Sequence, residues 1–112
     1  MDDDPIFRTL ARRLLADCGL AVIGEADSAA TGLSTATELE PSAVLVDVGL
    51  PDRDGFTLAR QLAALPRRPR VVLTSVEADV GHEDVVRRSG AVTFVHKADL
   101  PNAPLARLLG GE

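Results

Sequence analysis

Apolar positions follow two different spacings along this chain. Ile6, Leu10 and Leu14 recur at helical intervals, whereas residues 43–46 and 71–73 are short continuous apolar runs, as in strands buried on both faces. In chain order the pattern predicts helices over 5–17, 29–39, 56–65, 81–89 and 104–109, and strands over 21–25, 43–46, 70–75 and 92–96. This alternation predicts an α/β fold with a parallel sheet and helices on both faces.

Composition and charge argue against several classes of function. The 112 residues suit one domain, and the formal net charge of −5 disfavours direct nucleic-acid binding by this chain. No apolar run approaches the roughly 18 residues of a membrane span, and the acidic N-terminus does not resemble a signal peptide. A single cysteine excludes a disulfide framework. We therefore expect a cytoplasmic protein that does not bind membranes.

Polar residues of three kinds stand at the predicted strand ends. Asp47 follows one buried strand, Thr74 lies near the end of the next, and Lys97, the only lysine, follows the last. Carboxyl ends of parallel strands share one edge of a sheet, where ligands bind in such folds. Carboxylates suit Mg²⁺, a hydroxyl and an ammonium suit a phosphoryl group, and a carboxylate can itself accept phosphate. Together they indicate phosphoryl transfer to Asp47.

Each of these signals also has a plain structural interpretation. The acidic run Asp2–Asp4 could be a solvated terminus, and Asp52 and Asp54 are typical turn formers. Phe94 is at least as typical of an ordinary core residue as of a functional one.

Four ordered motifs resemble those of response-regulator receiver domains. The motifs are Asp2-Asp3-Asp4-Pro5-Ile6-Phe7-Arg8, Val44-Leu45-Val46-Asp47-Val48-Gly49-Leu50-Pro51-Asp52-Arg53-Asp54-Gly55, Leu73-Thr74-Ser75 and Phe94-Val95-His96-Lys97. The resemblance covers nearly the whole chain. Details such as Gly24-Glu25-Ala26, Ser89-Gly90-Ala91 and a Lys97 without a following proline are similar to the LuxR/NarL-type subgroup of transcription regulators.

The resemblance implies a phosphoacceptor and a metal site. Asp47 would accept a phosphoryl group from a sensor histidine kinase. Asp2, Asp3, Asp47 and the backbone carbonyl of Gly49 would hold Mg²⁺ or Mn²⁺.

The resemblance also implies a switch. Thr74 and Lys97 would contact the phosphoryl group, and Thr74 and Phe94 would move to change an output surface. The histidine kinase would be the main partner, and homodimerisation is left open.

One departure from the family concerns the sheet. The family fold is a flavodoxin-like, doubly wound sheet of strand order 2-1-3-4-5, and the first strand is missing here because only Met1 precedes Asp2. Losing about five buried side chains, at about 1.5–3 kcal/mol each, removes roughly 10 kcal/mol. Total domain stability is about 5–15 kcal/mol, so we expect a marginally stable fold in which Asp2 and Asp3 lack an anchoring strand.

Three functional hypotheses follow. The first is a phosphorylatable receiver over residues 1–112, N-terminally truncated and without an output domain, that acts as a signalling switch and not as a turnover enzyme. The second is a phosphorylation-independent interaction domain (pseudo-receiver), which the missing strand favours. The third, an aspartyl-phosphate hydrolase, is disfavoured because Gly49 stands where a second acid would be expected.

Overall fold

The computed structural model describes residues 1–110, and residues 111–112 lie outside the described part. The elements are α1 (Pro5–Asp17), α2 (Ala29–Leu39), β1 (Ala43–Asp47), α3 (Gly55–Ala63), β2 (Arg70–Ser75), α4 (Glu83–Arg88), β3 (Thr93–His96) and α5 (Leu105–Gly110), with 3₁₀ turns at Ala78–Val80 and Lys97–Asn102. In the described part, the strands form one parallel sheet in the order β1-β2-β3. The predicted α/β class is confirmed.

Helices cover both faces of this sheet. On one face, Val46 and Leu73 pack with Leu58 of α3 and the small residues of α2. On the opposite face, Val72 packs with Leu105 of α5 and with residues of α1. Successive strand residues alternate between the two faces, so continuous apolar runs are buried on both sides.

Helix caps explain why the sequence predicts the starts of α1 and α2 correctly. The Asp4 carboxylate accepts from the Ile6 N–H at 2.9 Å, and Pro5 occupies the first turn of α1. The Ser28 hydroxyl accepts from the Thr31 N–H at 3.1 Å at the start of α2. The structure therefore confirms both helices with the predicted bounds.

The prediction of a strand over residues 21–25 is wrong. This segment runs without strand structure, because a strand needs a hydrogen-bonded neighbour and only Met1 and Asp2 lie between it and β1. Met1 forms backbone hydrogen bonds with β1 on one side, and Asp2 forms one with Ala26 on the other. The Met1 ammonium donates to Leu45 O at 2.7 Å, the Asp47 N–H donates to Met1 O at 2.9 Å, and the Asp2 N–H donates to Ala26 O at 3.0 Å.

Next to Met1, the space between β1 and residues 20–26 is open, and we call this space the slot. It is a cavity of about 400 Å³ whose lining includes Phe7, Ala11 and Leu15 from α1, and Ala36 and Leu39 from α2. Its two walls are thus apolar and belong to helices on opposite faces of the sheet. The slot has the environment of a central strand.

Asp52 shows that a residue of the loop after β1 stabilises a neighbouring helix. Its carboxylate accepts from the N–H groups of Ala29 and Ala30 at 2.8 and 3.0 Å, and these hydrogen bonds lower the pKa of Asp52. A lowered pKa stabilises the fold above the unfolded-state pKa, and this stabilisation is lost as the pH falls through the folded-state pKa.

We expect Asp52→Ala to lower the thermal midpoint at neutral pH, because two N–H groups of α2 lose their acceptor. Asp52→Asn keeps an acceptor oxygen and should fall between Asp52→Ala and the wild type. Thermal melts followed by circular dichroism test this order, and equal midpoints for all three proteins would contradict it.

Candidate functional site

The carboxyl ends of the strands bring the predicted residues together. Asp47 is the last residue of β1 and its Cα pairs with that of Thr74 on β2. Lys97 follows directly after β3. Asp47 and Thr74 are buried, and the Lys97 side chain is 14% exposed. The predicted convergence at one edge of the sheet is therefore observed.

Three carboxylates meet at this edge. Asp2, Asp3 and Asp47 each place a carboxylate oxygen within 4.8 Å of the others. Asp2 is buried and Asp3 is exposed. Such a set of hard oxygen ligands with one solvent-facing side suits a divalent cation that keeps several waters.

Asp2 is held from several directions, so the expectation that it lacks an anchor is wrong. Besides its N–H bond to Ala26, its backbone carbonyl accepts from Arg8 Nη1 at 2.7 Å. Its Oδ1 accepts from the Asp4 N–H at 2.9 Å. Arg8 is in turn paired with Glu25. Ala26, the Asp4 N–H and the Arg8 side chain in the first turn of α1 therefore anchor Asp2 in place of a full strand.

Lys97 bridges the acidic residues. Its Nζ donates to Asp2 Oδ2 at 2.7 Å and lies 3.8 Å from Asp47 Oδ2. A compact ammonium between two carboxylates lowers the repulsion between them.

Burial and negative charge both act on Asp47. Burial away from water raises the pKa of its carboxyl group, and the neighbouring Asp2 charge raises it further, while Lys97 and the Gly49 N–H at 3.3 Å act in the opposite direction. The net rise in pKa means that the charged form of Asp47 is disfavoured at this site, first by burial and then by Asp2. A bound divalent cation would favour the charged form.

Thr74 and Phe94, the two residues predicted to act in a switch, have defined partners. The Thr74 hydroxyl donates to Val95 O at 2.7 Å. Phe94 is half-buried and its ring lies against Gly81, where an added Cβ would overlap the ring. The roles of Gly49 O, Thr74 and Phe94 stay predictions.

Three features of this region were not predicted from the sequence. Arg8 and Phe7 both contact the site, although neither was assigned a role. Asp54, a turn former by residue type, is the N-cap of α3 and accepts from the Thr57 N–H at 2.9 Å, a contact that is local in the sequence. The contacts of Arg8 and Phe7 instead depend on how α1 lies against the sheet, which spacing along the chain does not indicate.

Comparison with known proteins identifies the family. The family described as response regulator receiver domain matches residues 1–106. The chain belongs to this family. Its resemblance to LuxR/NarL-type receivers is also confirmed: a LuxR-family response regulator from Aurantimonas sp. SI85-9A1 superposes with a TM-score of 0.81 at 29% identity, over 97% of this chain and 81% of that one.

Curated relatives that are transcription regulators are about twice as long as this chain. The virulence transcription regulator BvgA of Bordetella pertussis is 34% identical over 97 residues, which is 87% of this chain and 46% of BvgA. The chain thus spans about half the length of such curated relatives. The receiver domain of the Pseudomonas aeruginosa sensor histidine kinase PA1611, with magnesium coordinated in its active-site cleft, has the same fold, with a TM-score of 0.79 at 23% identity over 98% of this chain and 93% of that one.

No helix among residues 1–110 is long and apolar enough to span a lipid bilayer.

Proposed function

We propose that this receiver domain accepts a phosphoryl group on Asp47 from a sensor histidine kinase and passes the signal on through a change in its surface. The observation that carries the proposal is the meeting of Asp2, Asp3, Asp47 and Lys97 at one edge of the sheet. The domain would act in the cytoplasm as a signalling switch, catalysing only its own phosphoryl transfer.

The chemistry follows from the positions of the side chains. An Asp47 carboxylate oxygen attacks the phosphorus of phosphohistidine, the P–O bond forms, the P–N bond breaks, and the histidine nitrogen leaves with the bonding pair. Mg²⁺, held by Asp2, Asp3 and Asp47, would neutralise part of the charge on the phosphoryl oxygens. The Lys97 ammonium is close enough to Asp47 to turn from Asp2 towards the new phosphoryl group.

The phosphoryl group would also compete for the Thr74 hydroxyl. In the present structure this hydroxyl donates to Val95 O, so a move towards the phosphoryl group would release the neighbouring part of β3. Phe94 lies next to Val95 in that strand. The signal would therefore pass from Asp47 through Thr74 to β3 and Phe94.

The proposal is tested by intact mass after incubation with acetyl phosphate. We expect one added phosphoryl group with Mg²⁺ present and none with a chelator. Asp2→Asn should raise the Mg²⁺ concentration for half-maximal labelling by at least roughly tenfold, because a ligand is weakened. Asp4→Asn is the matched control, since it keeps the α1 cap and lies outside the carboxylate cluster.

The outcomes separate this function from its alternative. Labelling that needs Mg²⁺ and Asp2 supports the phosphorylatable receiver. A folded wild type that gains no phosphoryl group at any Mg²⁺ concentration would instead favour the phosphorylation-independent interaction domain.

A further inference from the structure

The Lys97 ammonium has a third neighbour besides its two carboxylates. Its Nζ lies 4.0 Å from the centroid of the Phe7 ring, within the range of a cation–π interaction. The same Nζ is 2.7 Å from Asp2 Oδ2. A ring face and a carboxylate therefore both contact the Lys97 ammonium.

Phe7 is well placed to keep its ring there. It lies in the first turn of α1, directly after Asp4, Pro5 and Ile6, where the cap fixes the start of the helix. Its ring is half-buried and packs against the cluster that contains Val72 and Leu100. A ring that is held on two sides loses little freedom when it contacts the ammonium.

A metal cation would compete with Lys97 for the Asp2 carboxylate, but not for the Phe7 ring. Asp2 Oδ1 already accepts from Asp4, so a cation that binds Asp2 competes with Lys97 for Oδ2. Ring carbons are poor ligands for a hard cation such as Mg²⁺, which prefers oxygen. The contact with Phe7 is thus the one that persists when Asp2 serves the metal.

We propose that Phe7 is a positioning residue for Lys97, whose ring holds the ammonium beside Asp47 when Asp2 is engaged by a divalent cation. The inference rests on the proposed function and deepens it. A merely structural role, in which the ring only fills space beside α1, predicts that any apolar side chain of similar size does equally well.

The single lysine makes a direct spectroscopic test simple. With ¹³C-labelled lysine, the chain gives one set of side-chain signals, and because Nζ lies over the Phe7 ring, the protons on the adjoining Cε should be shifted upfield by the ring current. We expect Phe7→Leu to abolish that shift and Phe7→Tyr to keep it. Phe56→Leu, the same change in α3, should leave it unchanged.

The kinetic test uses the same variants, each checked for folding by circular dichroism. With saturating Mg²⁺ and acetyl phosphate, Phe7→Leu should take up phosphoryl groups about three- to tenfold more slowly, while Phe7→Tyr and Phe56→Leu stay near the wild-type rate. Phe7→Met serves in place of Phe7→Leu if the latter does not fold.

The possible failures are distinguishable. Phe7→Leu with an unchanged Lys97 signal, or with a lost shift but a wild-type labelling rate, would overturn the positioning role and leave the proposed function intact. A folded wild type that is never labelled would overturn the proposed function, and the positioning role with it.

Discussion

Asp47→Asn is expected to take up no phosphoryl group from acetyl phosphate or from a histidine kinase. The amide oxygen of asparagine is not a nucleophile comparable to a carboxylate, and an acyl phosphate cannot form at it without losing the amide nitrogen. The loss should be complete and not graded, because Asp47 is the carboxylate that ends β1 beside Thr74, whereas the neighbouring Asp2 and Asp3 are expected to serve as metal ligands.

The stability of the Asp47→Asn protein shows whether a loss of phosphorylation could be due to misfolding. The raised pKa of Asp47 means that its charge is unfavourable in the folded state, so its contribution lowers stability as the pH rises from the unfolded-state pKa through the folded-state pKa. A neutral asparagine removes this cost at neutral pH. We expect the metal-free Asp47→Asn protein to be at least as stable as the wild type, and Mg²⁺ to stabilise it less.

Asp54→Asn is the matched control for this substitution. It makes the same chemical change at an acid of the following loop and retains an acceptor for the Thr57 N–H. It should be phosphorylated like the wild type. Equal labelling of Asp47→Asn and Asp54→Asn would exclude Asp47 as the acceptor.

Five apolar residues added before Met1 are expected to stabilise the domain by a few kcal/mol. Met1 already pairs with β1 as a parallel strand does, so an extension would continue along the slot between β1 and the segment over residues 20–26. Burying five side chains contributes roughly 10 kcal/mol. Ordering five residues costs about 1.5 kcal/mol each, which leaves a small net gain.

The buried amino terminus adds a second reason for this expectation. Burial lowers the pKa of the Met1 ammonium to about 6, so its charge is unfavourable in the fold. Any extension replaces this ammonium with a neutral peptide N–H. A polar extension of equal length is therefore the control that separates this effect from filling the apolar slot.

Urea unfolding of the three proteins measures the effect. The apolar extension should have a higher midpoint than the polar one, and circular dichroism should show more strand structure. Equal midpoints for the apolar and polar extensions would show that the slot does not take a strand.

The limits of sequence-based prediction here are physical. Residues 5–17, 29–39 and 70–75 were predicted with the observed bounds because caps, prolines and apolar runs are local signals. Residues 21–25 have a strand-like sequence, but strand structure depends on a hydrogen-bonded neighbour, and only Met1 and Asp2 lie between this segment and β1.

The site residues likewise divide into those that local sequence signals predict and those whose contacts depend on packing. Asp47, Thr74 and Lys97 were predictable because each follows or ends a buried strand, and strand ends share an edge. The contacts of Phe7 and Arg8 with Lys97 and Asp2 depend on the rotation of α1 against the sheet. No spacing in the sequence reports that rotation.

The most direct test of the central claim is to locate the phosphoryl group on the chain. After labelling with acetyl phosphate and Mg²⁺, borohydride reduces an aspartyl phosphate to homoserine, and peptide mass spectrometry identifies the changed residue. We predict homoserine at position 47 and at no other aspartate. A modified Asp2, Asp3, Asp52 or Asp54 with an unchanged Asp47, or a folded protein with no modified aspartate, would contradict the account.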